Sequence, residues 1–131
     1  MAKDLYGEIK KLIDRDPRYR LDAYRFVFEA LEHTLAKLEE KRHVSGQELL
    51  EGIREYALLE FGMLAKMVFH RWGVRRTEDF GEIVFNLVEA GLMGKTERDT
   101  REDFAGGFDF ERAFWEEPRR QPFRFQEKAD S

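Results

Sequence analysis

The sequence predicts a mainly α-helical fold, with about five helices around one core and a winged-helix-like order of elements. Two observations predict this class. Apolar residues recur at helical spacing through most of the chain, and a Gly follows three of the periodic segments, where helices commonly end in a left-handed residue. The 131 residues include 12 Phe, which supply enough aromatic area for one dense core. We expect a single helical domain over residues 1–117 and a flexible tail over residues 118–131.

The first two helices are expected before residue 42. Residues 3–14 place apolar side chains at i, i+4, i+7 and i+8, on one face of a helix. The sequence Asp16-Pro17 predicts its end, because proline disfavours helical geometry in the preceding residue. A longer helix is predicted from an N-cap at Asp22 to about Lys41. Phe26 lies off its main apolar face, which predicts two buried sides and a central position.

The third helix has the best-defined beginning. Ser45 and Glu48 form the S-x-x-E pattern of a capping box, in which each side chain accepts a hydrogen bond from the other residue's backbone N–H. Gly52 predicts that another backbone approaches this helix closely. Gly62, followed by Met63, predicts a left-handed end of the Schellman type.

Two further helices are predicted over residues 64–72 and 78–90. Gly73 and Gly91 follow them and predict the same kind of left-handed end. Thr77 is the expected N-cap of the second of these helices. A short turn therefore joins the two, as in a helix-turn-helix motif.

After Gly91 the sequence pattern allows two interpretations. The favoured one is a small β hairpin or wing near residues 92–110, followed by a helical turn. The alternative is a pair of short helices capped by Thr100 or Asp109. In that case the core would receive three aromatic side chains: Phe110, Phe114 and Trp115.

A family resemblance is carried by three stretches, RHVSGQELLEGIREYALLEFG, WGVRRTEDFGEIVFNLVEAGLM and KTERDTREDF. Together they resemble a small family of uncharacterised bacterial proteins, described as conserved proteins restricted to planctomycetes and verrucomicrobia. The resemblance covers approximately residues 21–114. It implies a conserved bacterial cytoplasmic domain with a preference for an unknown partner. It implies no activity, cofactor or catalytic residue.

Composition excludes several classes of protein. The chain contains no Cys, and therefore neither a disulfide framework, nor a thiolate nucleophile, nor a Cys-based zinc site. Its first residues, MAKDLYGEIKK, are charged and amphipathic, whereas a signal peptide needs a continuous apolar stretch. No later segment approaches the length of a membrane span. We therefore expect a soluble cytoplasmic protein that does not bind membranes.

Charge is unevenly distributed along the chain. The net charge is −4, but residues 62–76 contain four basic and no acidic residues, whereas residues 77–117 contain 4 basic and 12 acidic residues. The basic segment therefore precedes a strongly acidic one. Its cations are Lys66, Arg71, Arg75 and Arg76.

The basic segment suggests two functions. Its four cations could contact the phosphates of a nucleic acid, as in a winged-helix protein. The helix that would enter the groove, however, carries Glu78, Asp79 and Glu82 near its N-terminus, where such helices usually meet bases. We therefore predict a non-enzymatic protein-interaction or adaptor domain, with self-association included, and keep nucleic-acid binding as the alternative.

Two other places are candidate partner contacts. Phe85 faces away from the apolar stripe of its helix, either exposed or packed under the wing or tail. The tail interleaves cations and aromatic residues, either for docking or as an unstructured solubilising end. Its candidate residues are Arg119, Arg120 and Phe123.

Catalysis and metal binding are not predicted. Glu40 and His43 match the E-x-x-H spacing of di-iron bundles, but those proteins need two such motifs and two further glutamates. His33 and His70 are interpreted as surface or interface histidines. We found neither a phosphate-binding glycine loop nor a catalytic triad pattern, and we expect neither a cofactor nor a metal.

Overall fold

The computed structural model describes residues 4–40, 42–94 and 101–120. Within these ranges the protein is mainly α-helical, as predicted, and contains no β-strand. Five α-helices of seven residues or more are followed by a short sixth: α1 (Leu5–Arg15), α2 (Leu21–Ala36), α3 (Gly46–Phe61), α4 (Ala65–Arg71), α5 (Thr77–Glu89) and α6 (Glu117–Arg120). Three other helical turns complete the order: 3-10 turns at Gly62–Leu64 and Arg101–Phe104, and a π-helical turn at Arg112–Glu116.

The core is a cluster of aromatic rings centred on Phe69 of α4. Its ring centroid lies 5.2 Å from those of Phe26 and Phe80, and 5.5 and 5.6 Å from those of Phe110 and Phe114. All five side chains are buried. Edge-to-face contacts at these distances add to the free energy of burial. The cluster therefore joins α2, α4, α5 and the C-terminal segment.

Gly52 gives room for α2, as expected, but the close neighbour is the side chain of Thr34, whereas the nearest backbone atom, the Ala30 carbonyl oxygen, would lie 3.6 Å from an added Cβ. A Cβ atom added at Gly52 would lie 1.8 Å from the Thr34 hydroxyl oxygen, so any other residue would require the Thr34 side chain to move. The Thr34 hydroxyl itself donates to the carbonyl of Ala30 at 2.8 Å.

The capping box of α3 and two of the three predicted glycine ends match the prediction. Ser45 and Glu48 form both bonds of the capping box, at 3.0 and 3.1 Å. Gly73 and Gly91 have φ of 90° and 75°, and each follows a Schellman end, with Val74 and Leu92 donating to the carbonyls five residues back at 2.8 and 2.9 Å. Gly62 differs: φ is 56° but ψ is −136°, outside left-handed helical geometry, and the chain turns directly into a 3-10 turn.

The boundaries of α2 were predicted incorrectly, although α1 ends at Asp16-Pro17 as expected. Arg20, rather than Asp22, is the N-cap, and its backbone N–H donates to the Trp72 carbonyl at 3.1 Å. This tertiary bond starts the helix before Asp22, which lies in its first turn. At the other end, the N–H groups of Lys37 and Leu38 donate three residues back, so α-helical bonding stops at Ala36 instead of continuing to Lys41.

The predicted wing is wrong for the described part of residues 92–110. Arg101–Phe104 forms a 3-10 turn, and Phe104 packs on Gly81, where an added Cβ would lie 2.9 Å from the Phe104 Cβ atom. The alternative interpretation describes the next segment better, since the Asp109 carboxylate accepts from the Arg112 N–H at 3.0 Å. Helical spacing then buries Phe110 and Phe114 on one face, a geometry that a hairpin does not provide, and leaves Trp115 exposed. Thr100 and the other residues of 95–100 lie outside the described residues.

The helical segment continues past the predicted domain boundary at residue 117, because α6 runs to Arg120. The rest of the predicted tail, residues 121–131, lies outside the described residues. None of the helices in the described ranges is long and apolar enough to cross a membrane.

Candidate partner-binding surface

Residues 71–76, which we call the basic turn, join α4 to α5 and contain three of the four predicted contact cations. Gly73 lies at the centre of this turn, with φ of 90°. A Cβ atom there would lie 2.2 Å from the Arg18 carbonyl oxygen, because the loop before α2 presses on the turn. Only glycine fits this conformation and this space. The backbone of the basic turn is therefore fixed against the rest of the domain.

Asp79 also holds this backbone in place. Its carboxylate accepts hydrogen bonds from the N–H groups of Arg75 and Arg76, at 2.8 and 3.3 Å. The other oxygen accepts from the hydroxyl of Tyr19 at 2.7 Å. Burial, the hydrogen bond to Asp79 and its charge all raise the pKa of Tyr19, which therefore remains a neutral donor. Asp79 is thus an internal hydrogen-bond acceptor of the turn.

Thr77 was expected to cap α5, and this prediction is wrong. Thr77 is the first helical residue and is buried. Its hydroxyl donates to the Phe104 carbonyl at 2.6 Å and accepts from the Gly107 N–H at 3.0 Å. Because Asp79 already bonds the N–H groups that precede α5, the Thr77 hydroxyl is free to attach the C-terminal segment to this helix.

The side chains of the basic turn point away from this network. Arg71, Arg75 and Arg76 are exposed, and in the described part of the chain none of their guanidinium groups contacts a carboxylate. Arg18, by contrast, pairs with Asp16 at 2.7 Å, and several other arginines are similarly paired. Three cations of one rigid turn are therefore available to an external anion.

The fourth predicted cation is already paired. The ammonium group of Lys66 lies 2.7 Å from the Glu111 carboxylate, and this contact joins α4 to the C-terminal segment. Lys66 still contributes to the local positive potential. Burial lowers the pKa of His70, and the neighbouring charges of Arg75 and Lys66 lower it further. His70 therefore lies in a positive environment next to the basic turn.

Arg20 is a further cation that the sequence pattern did not indicate. Its side-chain Nε donates to the Arg71 carbonyl at 3.3 Å, which places this exposed side chain beside the basic turn. The two residues are 51 positions apart, so no local pattern relates them.

The acidic start of α5 has the opposite character, because its carboxylates are engaged within the domain. Glu78 accepts from the Gly106 N–H at 3.1 Å, and Glu82 contacts Arg18 and Arg101 at 3.4 and 3.7 Å. Of the thirteen residues of α5, only Glu89 is exposed, and the others are buried or half-buried. A recognition helix needs one open face to enter a groove. The largely half-buried surface of α5 is therefore less suited to groove entry than the exposed side chains of the basic turn.

The other predicted contact residues lie in two different environments. The Arg101 guanidinium lies 3.9 Å from the centroid of the half-buried Phe85 ring, and it covers that ring. Arg119 lies 5.2 Å from the ring of Trp115, and Arg120 is exposed. Phe123 lies outside the described residues. Phe85 is therefore covered, whereas the surface around Trp115 is open.

Two cavities of the described residues are large enough to be candidate ligand sites. A polar groove of about 640 Å³ lies between α3, the start of α5 and residues 106–117. Arg54 and Glu51, which line it, form an ion pair, and the remaining wall mixes acids with Arg112. A smaller apolar cavity of about 210 Å³ lies beside Gly94.

In the described ranges no group of three or more His, Asp or Glu side chains is placed to hold a metal ion. Glu40 and His43 follow the end of α2, so they do not share the helical face that an E-x-x-H motif requires. His33 contacts Glu55 at 3.4 Å, and Lys37 contacts the same carboxylate.

Comparisons with known proteins give no match: not to a protein-family model, to a curated protein, or to a solved structure. The resemblance of residues 21–114 to a planctomycete and verrucomicrobial family therefore stays a prediction, and function has to be argued from the surface itself.

Proposed function

We propose that this protein is a non-enzymatic, cytoplasmic protein-interaction or adaptor domain that binds an acidic segment of a partner through the basic turn. The observation that supports this proposal is that the arginines of the basic turn lack the internal ion pairs that other arginines of the chain form. Arg71, Arg75 and Arg76 contact no carboxylate in the described ranges, although the chain carries a net charge of −4 and pairs many of its other arginines internally.

The fixed backbone adds to this argument. The Gly73 contact and the two Asp79 hydrogen bonds hold the turn in one conformation, so a partner orders few additional groups when it binds. Guanidinium groups match carboxylates in a two-bond geometry, and a cluster of them steers an acidic partner toward the surface. Arg20 extends the cluster on one side.

Capture from native lysate tests the proposal. The lysate is treated with nuclease, and bound proteins are identified by mass spectrometry for the wild type, for Arg75→Ala with Arg76→Ala, and for Arg15→Ala. Arg15 is a matched control, because it is an exposed arginine of α1 without a carboxylate contact in the described residues. We expect one set of partners with the wild type and the control, lost in the double variant. Equal capture by all three proteins would refute the basic turn as the binding surface.

Nucleic-acid binding through the basic turn is the second candidate. One observation favours it: the carboxylate of Asp79 is directed at backbone N–H groups, so it repels phosphates less than the sequence suggests. The limited exposure of α5 and the acidic residues at its start oppose base recognition and favour phosphate contacts.

Salt dependence separates the two candidates. Each phosphate contact contributes about 0.9 to the slope of log K against log salt concentration. Binding of a short DNA duplex or RNA strand, with a slope that the Arg75→Ala, Arg76→Ala variant flattens by about two units, would favour nucleic acid. Absence of binding at low salt would eliminate that candidate.

A further inference from the structure

The basic turn and its surroundings hold several positive charges around one bonded carboxylate. Arg71, Arg75 and Arg76 are exposed, and the exposed Arg20 lies beside them through its bond to the Arg71 carbonyl. Within the described ranges none of these four guanidinium groups contacts a carboxylate. Asp79, which bonds the turn, accepts from backbone N–H groups instead. An anion with more than one negative charge therefore matches this surface best.

Two ion pairs of the same chain show how much a single carboxylate can satisfy. Both oxygens of Asp16 accept from the guanidinium of Arg18, at 2.7 and 2.8 Å, and both oxygens of Glu48 accept from that of Arg42, at 2.7 and 3.0 Å. Each carboxylate is thus occupied by one arginine. A phosphate monoester offers three acceptor oxygens and a charge of about −1.5 to −2 on one side chain. It can therefore satisfy several guanidinium groups at once.

His70 shows where positive charge converges next to the basic turn. This residue lies in the last turn of α4 and is exposed. Partial burial lowers the pKa of His70, and the charges of Arg75 and Lys66 lower it further. Both cations therefore lie within electrostatic reach of the ring, one from the turn and one from the preceding turn of the helix. A bound dianion would stabilise the charged imidazolium and oppose this effect.

The acids that follow the turn oppose such an anion less than their position in the sequence suggests. Glu78 accepts from the Gly106 N–H, and Glu82 contacts Arg18 and Arg101. These carboxylates are engaged within the domain, so their charges are partly compensated there.

We propose that the acidic group recognised by the basic turn is a phosphate monoester, carried by a phosphorylated Ser or Thr of the partner. This inference rests on the proposed function and names the chemistry of the partner. The guanidinium groups of the turn donate to the phosphate oxygens beside the ring of His70, and Arg20 adds positive charge at the edge. Nucleic acids carry single charges spread along a strand, whereas these cations lie around one turn.

Binding of defined peptides tests the proposal. A flexible labelled peptide of Gly and Ser carries one phosphoserine, and two matched peptides carry Glu or unmodified Ser in its place. We expect the phosphopeptide to bind at least about tenfold more tightly than the Glu peptide, equivalent to one additional charge-assisted hydrogen bond. Arg75→Ala with Arg76→Ala should remove this preference, and the control Arg15→Ala should keep it. Circular dichroism checks that the double variant is folded.

The ring signals of His70 report whether the phosphate binds at the expected place. In an NMR titration the phosphopeptide should raise the pKa of His70 in the wild type, because a dianion stabilises the imidazolium. The ring signals of His33, which contacts Glu55 of α3, should not change. A pKa of His70 that stays the same when the phosphopeptide is bound would overturn the proposal.

Phosphatase treatment of a native lysate separates this inference from the proposed function. We expect partners captured by the wild type to be lost after phosphatase treatment and retained after mock treatment. Capture that survives phosphatase but is lost in the Arg75→Ala, Arg76→Ala variant would refute the phosphate and leave the proposed function intact. Phosphopeptide binding with the His70 change, but without any captured protein, would support the phosphate site and count against the proposed function.

Other results of the peptide experiment would also overturn the proposal. Absence of phosphopeptide binding, or equal affinity for the phosphoserine and Glu peptides, would show that a phosphate is not the preferred group. Equal affinity for inorganic phosphate and the phosphopeptide would assign the turn to a free phosphate ion. Tighter binding of a short DNA or RNA strand at the same salt concentration, lost in the Arg75→Ala, Arg76→Ala variant, would assign it to nucleic acid.

Discussion

The consecutive helices α4 and α5 differ in how far their side chains are exposed and in whether the charged groups at their ends are paired within the domain. In α5 only Glu89 is exposed, and the acids at its start bond to groups of the same domain. α4 buries Ala65 and Phe69 but exposes Met67, and the arginines of the turn after it contact no carboxylate among the described residues. The comparison shows that a block of charge in a sequence gives the sign of a surface but does not reveal whether that charge is already engaged.

The largest expected difference between the helices is in stability. Leu87→Ala removes a fully buried side chain of α5, and we expect it to lower the free energy of unfolding by roughly 2 to 5 kcal/mol. Leu64→Ala, at the exposed start of α4, should change it by less than about 0.5 kcal/mol. Urea denaturation of both variants measures the difference. Similar losses in the two variants would contradict the comparison.

Thr77→Val should produce the next largest effect. The substitution keeps the shape of the side chain but removes the hydroxyl, so the Phe104 carbonyl and the Gly107 N–H lose a buried partner. We expect a loss of about 1 to 3 kcal/mol in the free energy of unfolding. Thr77→Ser, which keeps the hydroxyl, is the control and should lose less. If valine is tolerated as well as serine, these hydrogen bonds do not attach the C-terminal segment.

A smaller effect on the free energy of unfolding, which depends on pH, is expected from the contact between α5 and the loop before α2. Hydrogen bonds from Arg18 lower the pKa of Asp16, burial opposes this effect, and the Asn86 amide lowers the pKa further. Near the ordinary aspartate pKa of about 4, the unfolded chain therefore binds more protons than the folded protein. The contribution of Asp16 to the free energy of unfolding is present above that pH, and it is lost as the pH falls toward the pKa of Asp16 in the folded protein.

Denaturation between neutral pH and pH 3 measures this contribution. The wild type should lose stability on acidification, and Asp16→Asn should show a shallower loss because the titrating group is absent. Asp14→Asn, an exposed acid of α1 whose carboxylate has no bond in the described ranges, is the control and should follow the wild type. Identical pH curves for all three proteins would show that Asp16 does not titrate abnormally.

The smallest expected effect on stability is in the basic turn. Arg75→Ala with Arg76→Ala should change the free energy of unfolding by less than about 0.5 kcal/mol, because the side chains are exposed and the Asp79 bonds use only backbone N–H groups. Thermal denaturation checks this value. A large loss would mean that the two guanidinium groups have a structural role, and that they are not free for a partner.

Local chemistry explains which features could be predicted from the sequence. The capping box of α3 and the ends at Gly73 and Gly91 depend on bonds within a few residues, and all three were found as expected. The role of Thr77 was missed because its partners are 27 and 30 residues away. Asp79 and Tyr19 are 60 residues apart, and Arg20 reaches the basic turn through a comparable separation.

The segment from Arg101 to Arg120 shows a different kind of ambiguity. Its Phe residues are separated by four, two and four positions, and this spacing fits neither a regular strand nor one continuous helix. Packing on Gly81 and on the Phe69 cluster decides the structure, and neither contact can be read from the segment alone.

Photo-crosslinking tests the central claim, binding through the basic turn, most directly. A photoreactive amino acid replaces His70, which is exposed beside the turn and leaves its arginines intact, and a second protein carries it at Arg15 as a control. In nuclease-treated lysate we predict protein adducts from position 70 that disappear when Arg75 and Arg76 are replaced by Ala, and none of these adducts from position 15. Adducts that are the same at both positions, or that persist in the double variant, would contradict the claim.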